Sequence, residues 1–127
     1  MAGNRYRSAA RFRAELRRFL RQSEECAREH GITPKQHQLL LQIAGSDDGT
    51  STVGELVRTL SLTQSTVTEL VQRAEQAGFV TRTGSADDAR VVHLTLTKAG
   101  EQALANVHEA LGPERAELRR VMDALED

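Results

Sequence analysis

The segment after Thr63 places six polar side chains on one face of a predicted helix, namely Gln64, Ser65, Thr68, Glu69, Gln72 and Arg73. Glutamine can pair with adenine, serine and threonine can hydrogen-bond bases or phosphates, and a threonine methyl can touch thymine. This set suits the edges of A·T pairs better than guanine. Arg73 stands ten residues into the helix, about 15 Å from its start, where a phosphate is a better partner than a base. On these residues alone, a solvated helix face is the stronger interpretation.

A second candidate site is a predicted hairpin with two arginines. The segments FVTRT and VVHLTL predict strands around the polar turn GSADDAR, with Arg90 at the end of the turn and Arg82 on the facing strand. Such a wing can place an arginine in a DNA minor groove. Asp88 could hold the Arg90 guanidinium by a charge-assisted hydrogen bond. The alternative is a surface hairpin with an exposed ion pair worth about 0 to 1 kcal/mol, and spacing alone favours neither interpretation.

Two short amphipathic helices position these side chains. Their apolar residues recur at helical spacing: Val53, Leu56, Val57 and Leu60 in the first helix, and Val67, Leu70, Val71 and Ala74 in the second. Only Ser61 and Leu62 separate the helices, Thr63 is the predicted N-cap of the second, and Gly78 is its predicted left-handed C-cap. A steep helix pair followed by a hairpin predicts a winged helix-turn-helix, in which the second helix enters the major groove.

Further helices are predicted on both sides of this motif. A long first helix runs from about Arg5 to His30, and the next begins at the capping box of Thr33 and Gln36 and ends at Gly45. Thr52 and Glu55 form a second predicted capping box. Beyond the hairpin, one helix begins near Thr97 and ends at 112–113, and a last helix follows. We therefore expect a mainly α single domain over 1–127 with a small β-hairpin wing, the DNA-binding lobe covering 33–97.

Charge is distributed unevenly although the net charge is only -1. Residues 1–30 carry eight arginines against four glutamates, whereas residues 101–127 carry three arginines against seven acidic residues. We predict that the helices in 1–30 and 101–127 form a symmetric homodimer, with the basic first helix packed across the acidic last helix of a second copy. The apolar residues expected at this interface are Phe12, Leu16, Phe19, Leu118, Val121 and Leu125.

Composition argues against several other classes of protein. The sequence has no apolar run of about 20 residues and its arginine-rich start lacks a signal-peptide pattern, so we expect a cytoplasmic protein without a membrane partner. The histidines and Cys26 show no metal-ligand spacing, and no nucleophile–base pair or phosphate loop is present, so no metal, cofactor or catalysis is expected. Cys26 cannot form an internal disulfide, and an inter-subunit or redox-sensing role stays open.

The stretch LTQSTVTELVQRAEQAGFVTRTGSADDARVVHLTLTKAGE resembles the signature of the MarR family, the multiple-antibiotic-resistance type regulators. The resemblance implies a homodimeric winged helix-turn-helix regulator, usually a repressor, that binds pseudo-palindromic double-stranded DNA and is often released by a small ligand. His37 would then face the ligand cleft between the dimer helices and the DNA-binding lobe, although a packed or solvated histidine is the simpler interpretation. The candidate DNA-binding residues are Thr63, Gln64, Ser65, Thr66, Thr68, Glu69, Arg73, Arg82, Asp88 and Arg90.

Two departures from the family pattern favour a rival hypothesis. Glu69 occupies a position that is often basic in similar proteins, and residues 61–90 carry three arginines against four acidic residues. Affinity from phosphate neutralisation should therefore be modest, unless Arg5 and Arg7 contribute. The rival is a winged-helix module that binds protein and not DNA.

Overall fold

The helices and the hairpin follow one another in the predicted order. This computed structural model describes residues 5–84 and 91–126. Its elements are α1 (Arg7–Glu29), α2 (Pro34–Ala44), a short 3-10 helix (Asp47–Gly49), α3 (Val53–Leu60), α4 (Gln64–Gln76), β1 (Val80–Gly84), β2 (Val92–Leu96), α5 (Lys98–Ala110) and α6 (Gly112–Asp123). The prediction of a mainly helical winged helix-turn-helix is confirmed.

The capping box predicted for α2 forms completely. The Thr33 hydroxyl accepts a hydrogen bond from the Gln36 amide at 3.0 Å, and the Thr33 amide donates to the Gln36 side chain at 3.2 Å. The box predicted for α3 forms only in part. Thr52 accepts from the Glu55 amide at 3.2 Å, but the Glu55 carboxylate accepts from the Ser51 hydroxyl at 3.2 Å. Ser51 is only 2% exposed, so the carboxylate serves a buried donor in place of the helix end.

The turn between α3 and α4 uses a left-handed residue. Ser61 has φ +54° and ψ +45°, and Thr63 then caps α4. This reversal sets the apolar sides of the two helices against α2. The resulting core consists of Leu39, Leu40, Ile43, Leu56, Val67, Leu70, Val71, Ala74, Val80 and Leu94. The polar face of α4 is thereby turned away from the protein.

The hairpin is joined to the core by its second strand. The strands pair in antiparallel register from Val80 opposite Leu96 to Gly84 opposite Val92. Leu94 is fully buried, and it exchanges backbone hydrogen bonds with Ser51 at 2.7 and 3.1 Å. Both strands begin one residue later than predicted. The hairpin base is therefore fixed to the lobe that carries α3 and α4.

A close backbone contact joins the end of α4 to the start of α5. Gly78 adopts φ +83°, as predicted for a left-handed cap. The Thr97 hydroxyl donates to the Gly78 carbonyl at 2.5 Å and accepts from the Gly100 amide at 3.1 Å. The Thr97 amide also donates to the Phe79 carbonyl at 2.9 Å. Gly100 is buried against Phe79, so this contact fixes how the hairpin leaves the helices.

The terminal helices α1 and α6 pack against each other within one chain. The Glu126 amide donates to the Ser8 hydroxyl at 3.1 Å. Arg120, by its hydrogen bond and its charge, lowers the pKa of Glu117, and the charges of Arg11 and Arg18 on α1 act in the same direction. The complementary charges thus meet inside one chain, whereas the sequence prediction placed this contact between two copies. Only Leu111 connects α5 to α6, and the chain turns there so that α6 packs along α1. The spacing of apolar residues in the sequence does not reveal this turn.

The six residues predicted at the dimer interface differ in exposure. Val121 is only 3% exposed, so it is already buried within the chain, whereas Leu125 is 43% exposed. The other four are partly buried, namely Phe12, Leu16, Phe19 and Leu118. Within residues 5–84 and 91–126, no helix combines the length and apolarity needed to cross a membrane.

Candidate nucleic-acid interface

The outward face of α4 is polar and accessible. Ser65, Glu69 and Gln72 follow one another at i, i+4 and i+7, on the side opposite the buried stripe of this helix. Gln64 is exposed and Thr68 is partly exposed beside them. A helix with one fully packed side and one side of hydrogen-bonding groups can lie in a groove without exposing apolar surface.

Three hydroxyl groups form a cluster at the start of α4. The Thr63 hydroxyl accepts from the Thr66 amide at 3.3 Å and donates to the Thr66 hydroxyl at 2.9 Å, and the Ser65 hydroxyl lies 3.3 Å away. The positive end of the helix dipole lies at the same place, which favours a nearby anion. This end of α4 is therefore chemically suited to a phosphate.

Arg73 is held by Glu69 on the same helix. The Arg73 Nη2 atom lies 2.7 Å from the Glu69 Oε1 atom, and the two side chains are 68% and 62% exposed. The i, i+4 spacing permits this pair, which solvent screens strongly. Any contact of Arg73 with a phosphate must therefore replace this ion pair or share the guanidinium with it.

The hairpin arginine Arg82 connects the wing to α4. Its Nε atom donates to the Glu75 carboxylate at 2.9 Å, which joins β1 to the last turn of α4. Arg82 thus helps to set the position of the hairpin in this structure. The other two predicted wing residues, Asp88 and Arg90, lie outside the described residues.

One basic residue near α4 was missed by sequence reasoning. Lys35, in the first turn of α2, lines a cleft of about 180 Å³ with Thr66, Glu69, Leu70 and Arg73. Its positive charge thus adds to the same surface as Arg73. Since Lys35 stands about 30 residues before α4, no local spacing pattern could have predicted that the two lie together.

A second cleft lies between the terminal helices and α2. It has a volume of about 530 Å³ and is lined by Phe19, Leu20, Ser23, Glu24, Pro34, His37, Gln38, Leu41, His108, Leu111 and Arg115. His37 is 7% exposed, and desolvation lowers its pKa, with a further contribution from His108. The Arg115 guanidinium donates to the His108 carbonyl at 2.7 Å. The cleft therefore offers apolar walls with cationic and neutral nitrogen donors.

The lowered pKa of His37 predicts a dependence of stability on pH. The unfolded chain takes up this proton near pH 6.5 and the folded chain at a lower pH, so acid favours unfolding between the two pKa values. The free energy of unfolding should fall as the pH drops below about 6.5, with a slope of at most about 1.4 kcal/mol per pH unit from this group. Chemical denaturation between pH 5 and 7.5 should show a shallower slope for His37→Gln. Equal slopes would contradict the burial of a neutral His37.

Cys26 lacks the surroundings of a reactive thiol. Its side chain is 8% exposed, with the sulfur 3.7 Å from the His30 Nδ1 atom and 3.9 Å from the Val107 carbonyl oxygen. Burial raises the pKa of the thiol, and Glu29 and Glu114 raise it further. Since the thiolate is the reactive form, these surroundings disfavour a redox response. In the part of the chain that is described, no group of three or more metal-ligating side chains could hold a metal ion.

Comparison with known proteins gives one family. The model of the MarR family matches residues 30–91. The transcriptional repressor MdtR of Bacillus subtilis (strain 168) is 29% identical over 101 residues, which are 80% of this chain but only 62% of that protein.

Solved structures give the same fold. A cysteine-to-serine mutant of MarR from E. coli, in complex with operator DNA, aligns with a TM-score of 0.70 at 24% identity over 87% of this chain and 78% of its own. NadR in complex with 4-hydroxyphenylacetate aligns with a TM-score of 0.75 at 23% identity over 84% of this chain and 74% of its own. The curated relative is a transcriptional repressor, which agrees with the prediction that the chain is not an enzyme. By the family model over residues 30–91, the curated repressor and the shared fold, the chain is similar to the MarR family of winged helix-turn-helix transcriptional regulators.

Proposed function

We propose that this protein is a homodimeric repressor that binds a pseudo-palindromic DNA operator through α4 and the wing and releases it when a small ligand binds. One observation carries the proposal: α4 turns a polar face outward, opposite a buried apolar stripe and next to the hairpin. The mutant of MarR solved in complex with operator DNA has the same fold, which supports DNA binding by this chain.

The DNA-contacting residues proposed here are the ten predicted from the sequence, with Lys35 added. Gln64, Ser65, Thr68 and Glu69 would face base edges, while the hydroxyls around Thr63 and Thr66 would meet a phosphate. Arg73 and Lys35 lie at the edge of this face and would also contact the backbone. Arg82 would support the wing, and Arg90, with Asp88, would act in the minor groove.

Exposed apolar side chains on the terminal helices support a dimer. Leu20 on α1 and Met122 on α6 are both 51% exposed, and Leu125 beyond α6 is 43% exposed. A second copy that covered these side chains would remove apolar surface from water. A two-fold dimer would also place two α4 helices at a fixed spacing, which suits two half-sites about one helical turn apart.

The cleft beside His37 is the proposed effector site. Its apolar wall and the Arg115 guanidinium suit a small organic anion, and the structural relative NadR is known in complex with 4-hydroxyphenylacetate. Because Cys26 is buried with a raised pKa, release of DNA by such a ligand should not depend on the thiol. Cys26→Ser should respond to the ligand with an unchanged midpoint in a fluorescence-anisotropy titration of bound DNA. A lost response, together with sensitivity of the wild type to peroxide, would favour redox control.

Selection from a pool of genomic DNA fragments tests the function itself. The wild-type protein should enrich one motif with two-fold symmetry, and footprinting should protect two half-sites about one helical turn apart. Protection of a single short site would contradict the dimer. Failure to enrich any sequence at low salt, with capture of one stoichiometric protein partner, would favour the interaction module that the near-neutral surface also suits.

A further inference from the structure

Glu69 occupies the middle of the outward face of α4. It is 62% exposed and lies between Ser65 and Gln72 in the same stripe. It stands five positions after Gln64, which corresponds to about 7.5 Å along the helix axis. If this face enters the major groove, as the proposed function requires, the Glu69 carboxylate must point to the base edges.

An ionised carboxylate restricts which base it can meet. It only accepts hydrogen bonds, so guanine N7 and O6, thymine O4 and every phosphate oxygen oppose it. Cytosine offers the N4 amino group as a donor on its major-groove edge, whereas the amino group of adenine stands beside the N7 acceptor. Cytosine is therefore the base that an acidic side chain fits best.

Arg73 reduces the electrostatic repulsion that the Glu69 carboxylate would meet in the major groove. It binds the Oε1 atom of Glu69 at 2.7 Å and fixes the carboxylate, whose Oε2 atom can accept from a base. The guanidinium has five N–H groups in a planar fork, so it can donate to Glu69 and to a phosphate at once. Arg73 thus offsets the repulsion between Glu69 and the DNA backbone.

We infer that Glu69 is a specificity-determining residue that selects cytosine at one position of each half-site, and that Arg73 positions it. The inference rests on the proposed function. It refines the expectation of an A·T-rich site by adding one G·C pair whose cytosine faces Glu69. Residues 61–90 have a negative net charge, which lowers the general affinity for DNA. In this role, the negative charge of Glu69 helps to discriminate between bases.

Selection of DNA from a random pool, followed by base-resolved affinities, tests this inference. The wild type should prefer cytosine about tenfold over other bases at one position per half-site. Glu69→Gln should move that preference to adenine, because a glutamine amide both donates and accepts, and Glu69→Ala should abolish it. Glu109→Gln is the matched control, since it makes the same change at an exposed glutamate on α5, outside the surface proposed to contact DNA, and it should keep the cytosine preference.

Arg73→Gln provides a readout of the positioning role. It should weaken the cytosine preference and also reduce the dependence of affinity on salt by about one unit of slope per subunit. A purely structural role of Arg73 would change neither quantity in a protein that keeps its circular dichroism spectrum.

The outcomes separate this inference from the proposed function. If the wild type selects no sequence, the proposed function fails. If it selects a motif whose base preferences are the same in the wild type and in both Glu69 variants, only the role of Glu69 is overturned. Complete loss of binding in both folded Glu69 variants would also overturn it, because a base-reading carboxylate should affect discrimination at one base pair.

Discussion

Replacement of Gly100 by alanine is expected to lower the free energy of unfolding by about 1 to 3 kcal/mol, the range for overpacking a well-filled interior. A Cβ atom at this position would meet the Phe79 carbonyl carbon at 3.0 Å and its Cα at 3.2 Å, with the carbonyl oxygen closer still. These are backbone atoms, so they cannot move as the end of a side chain can. The same oxygen accepts the Thr97 amide, so relief of the overlap would disturb the cap of α5. Urea denaturation measures the loss.

Gly54→Ala is the matched control for this change. Gly54 also lies in the first turn of a helix, but an added Cβ atom would meet only the Thr52 hydroxyl oxygen, at 3.9 Å. Alanine is favoured over glycine inside a helix by about 0.5 to 1 kcal/mol, so this variant should be slightly more stable than the wild type. Equal effects of the two substitutions would contradict the close approach of α5 to Phe79.

The parts of the fold that could be predicted depend on short-range chemistry. The caps at Thr33 and Thr63, the left-handed Gly78 and the apolar stripes of α3 and α4 all act within a few residues along the chain. Each of these signals depends on neighbouring residues in the sequence, and each is present in the folded chain. The helix-turn-helix and the hairpin could therefore be predicted from the sequence.

The missed features involve contacts between distant parts of the chain. The Glu55 carboxylate accepts a hydrogen bond from Ser51 instead of capping α3, because the backbone bridge to Leu94 buries Ser51. Leu94 lies more than 40 residues after Ser51 in the sequence. In the sequence, Gly100 was only one residue of the stretch that resembles a family signature. Its close approach to the Phe79 backbone explains why a residue without a side chain stands at this position. The contact of α1 with α6 in the same chain was likewise assigned to a second copy. The helical spacing of apolar residues does not reveal which distant segments of the chain come into contact.

The candidate site was predictable in its residues and less so in their pairings. The outward face of α4 follows from the positions of its buried residues. The Glu69–Arg73 pair has the i, i+4 spacing that favours an ion pair, so it was available from the sequence. The Arg82–Glu75 pair depends on how the hairpin lies against α4, and the position of Lys35 depends on how α2 packs. Both are consequences of tertiary packing.

Arg90→Ala is expected to weaken binding to the selected duplex by about 10- to 100-fold, because the proposed dimer would lose two charge-assisted contacts at once. The described strands support a wing at this place, since Gly84 and Val92 pair at the end of the hairpin and Arg90 stands two residues before Val92 in the sequence. An arginine there can enter the narrow minor groove of A·T-rich DNA, where the negative potential is strongest. Anisotropy titration with labelled duplex at fixed salt measures the loss.

Arg82→Ala is the control for the wing, since it removes the same kind of side chain from the same hairpin. Arg82 is already bound to Glu75 at 2.9 Å, so its removal should loosen the hairpin and reduce affinity less than the loss of Arg90. Sedimentation should show the same dimer in both variants, because neither substitution touches the terminal helices. An unchanged affinity of Arg90→Ala would contradict the wing assignment and leave α4 as the proposed DNA contact. A larger loss from Arg82→Ala would instead mean that the position of the hairpin matters more than the charge near its turn.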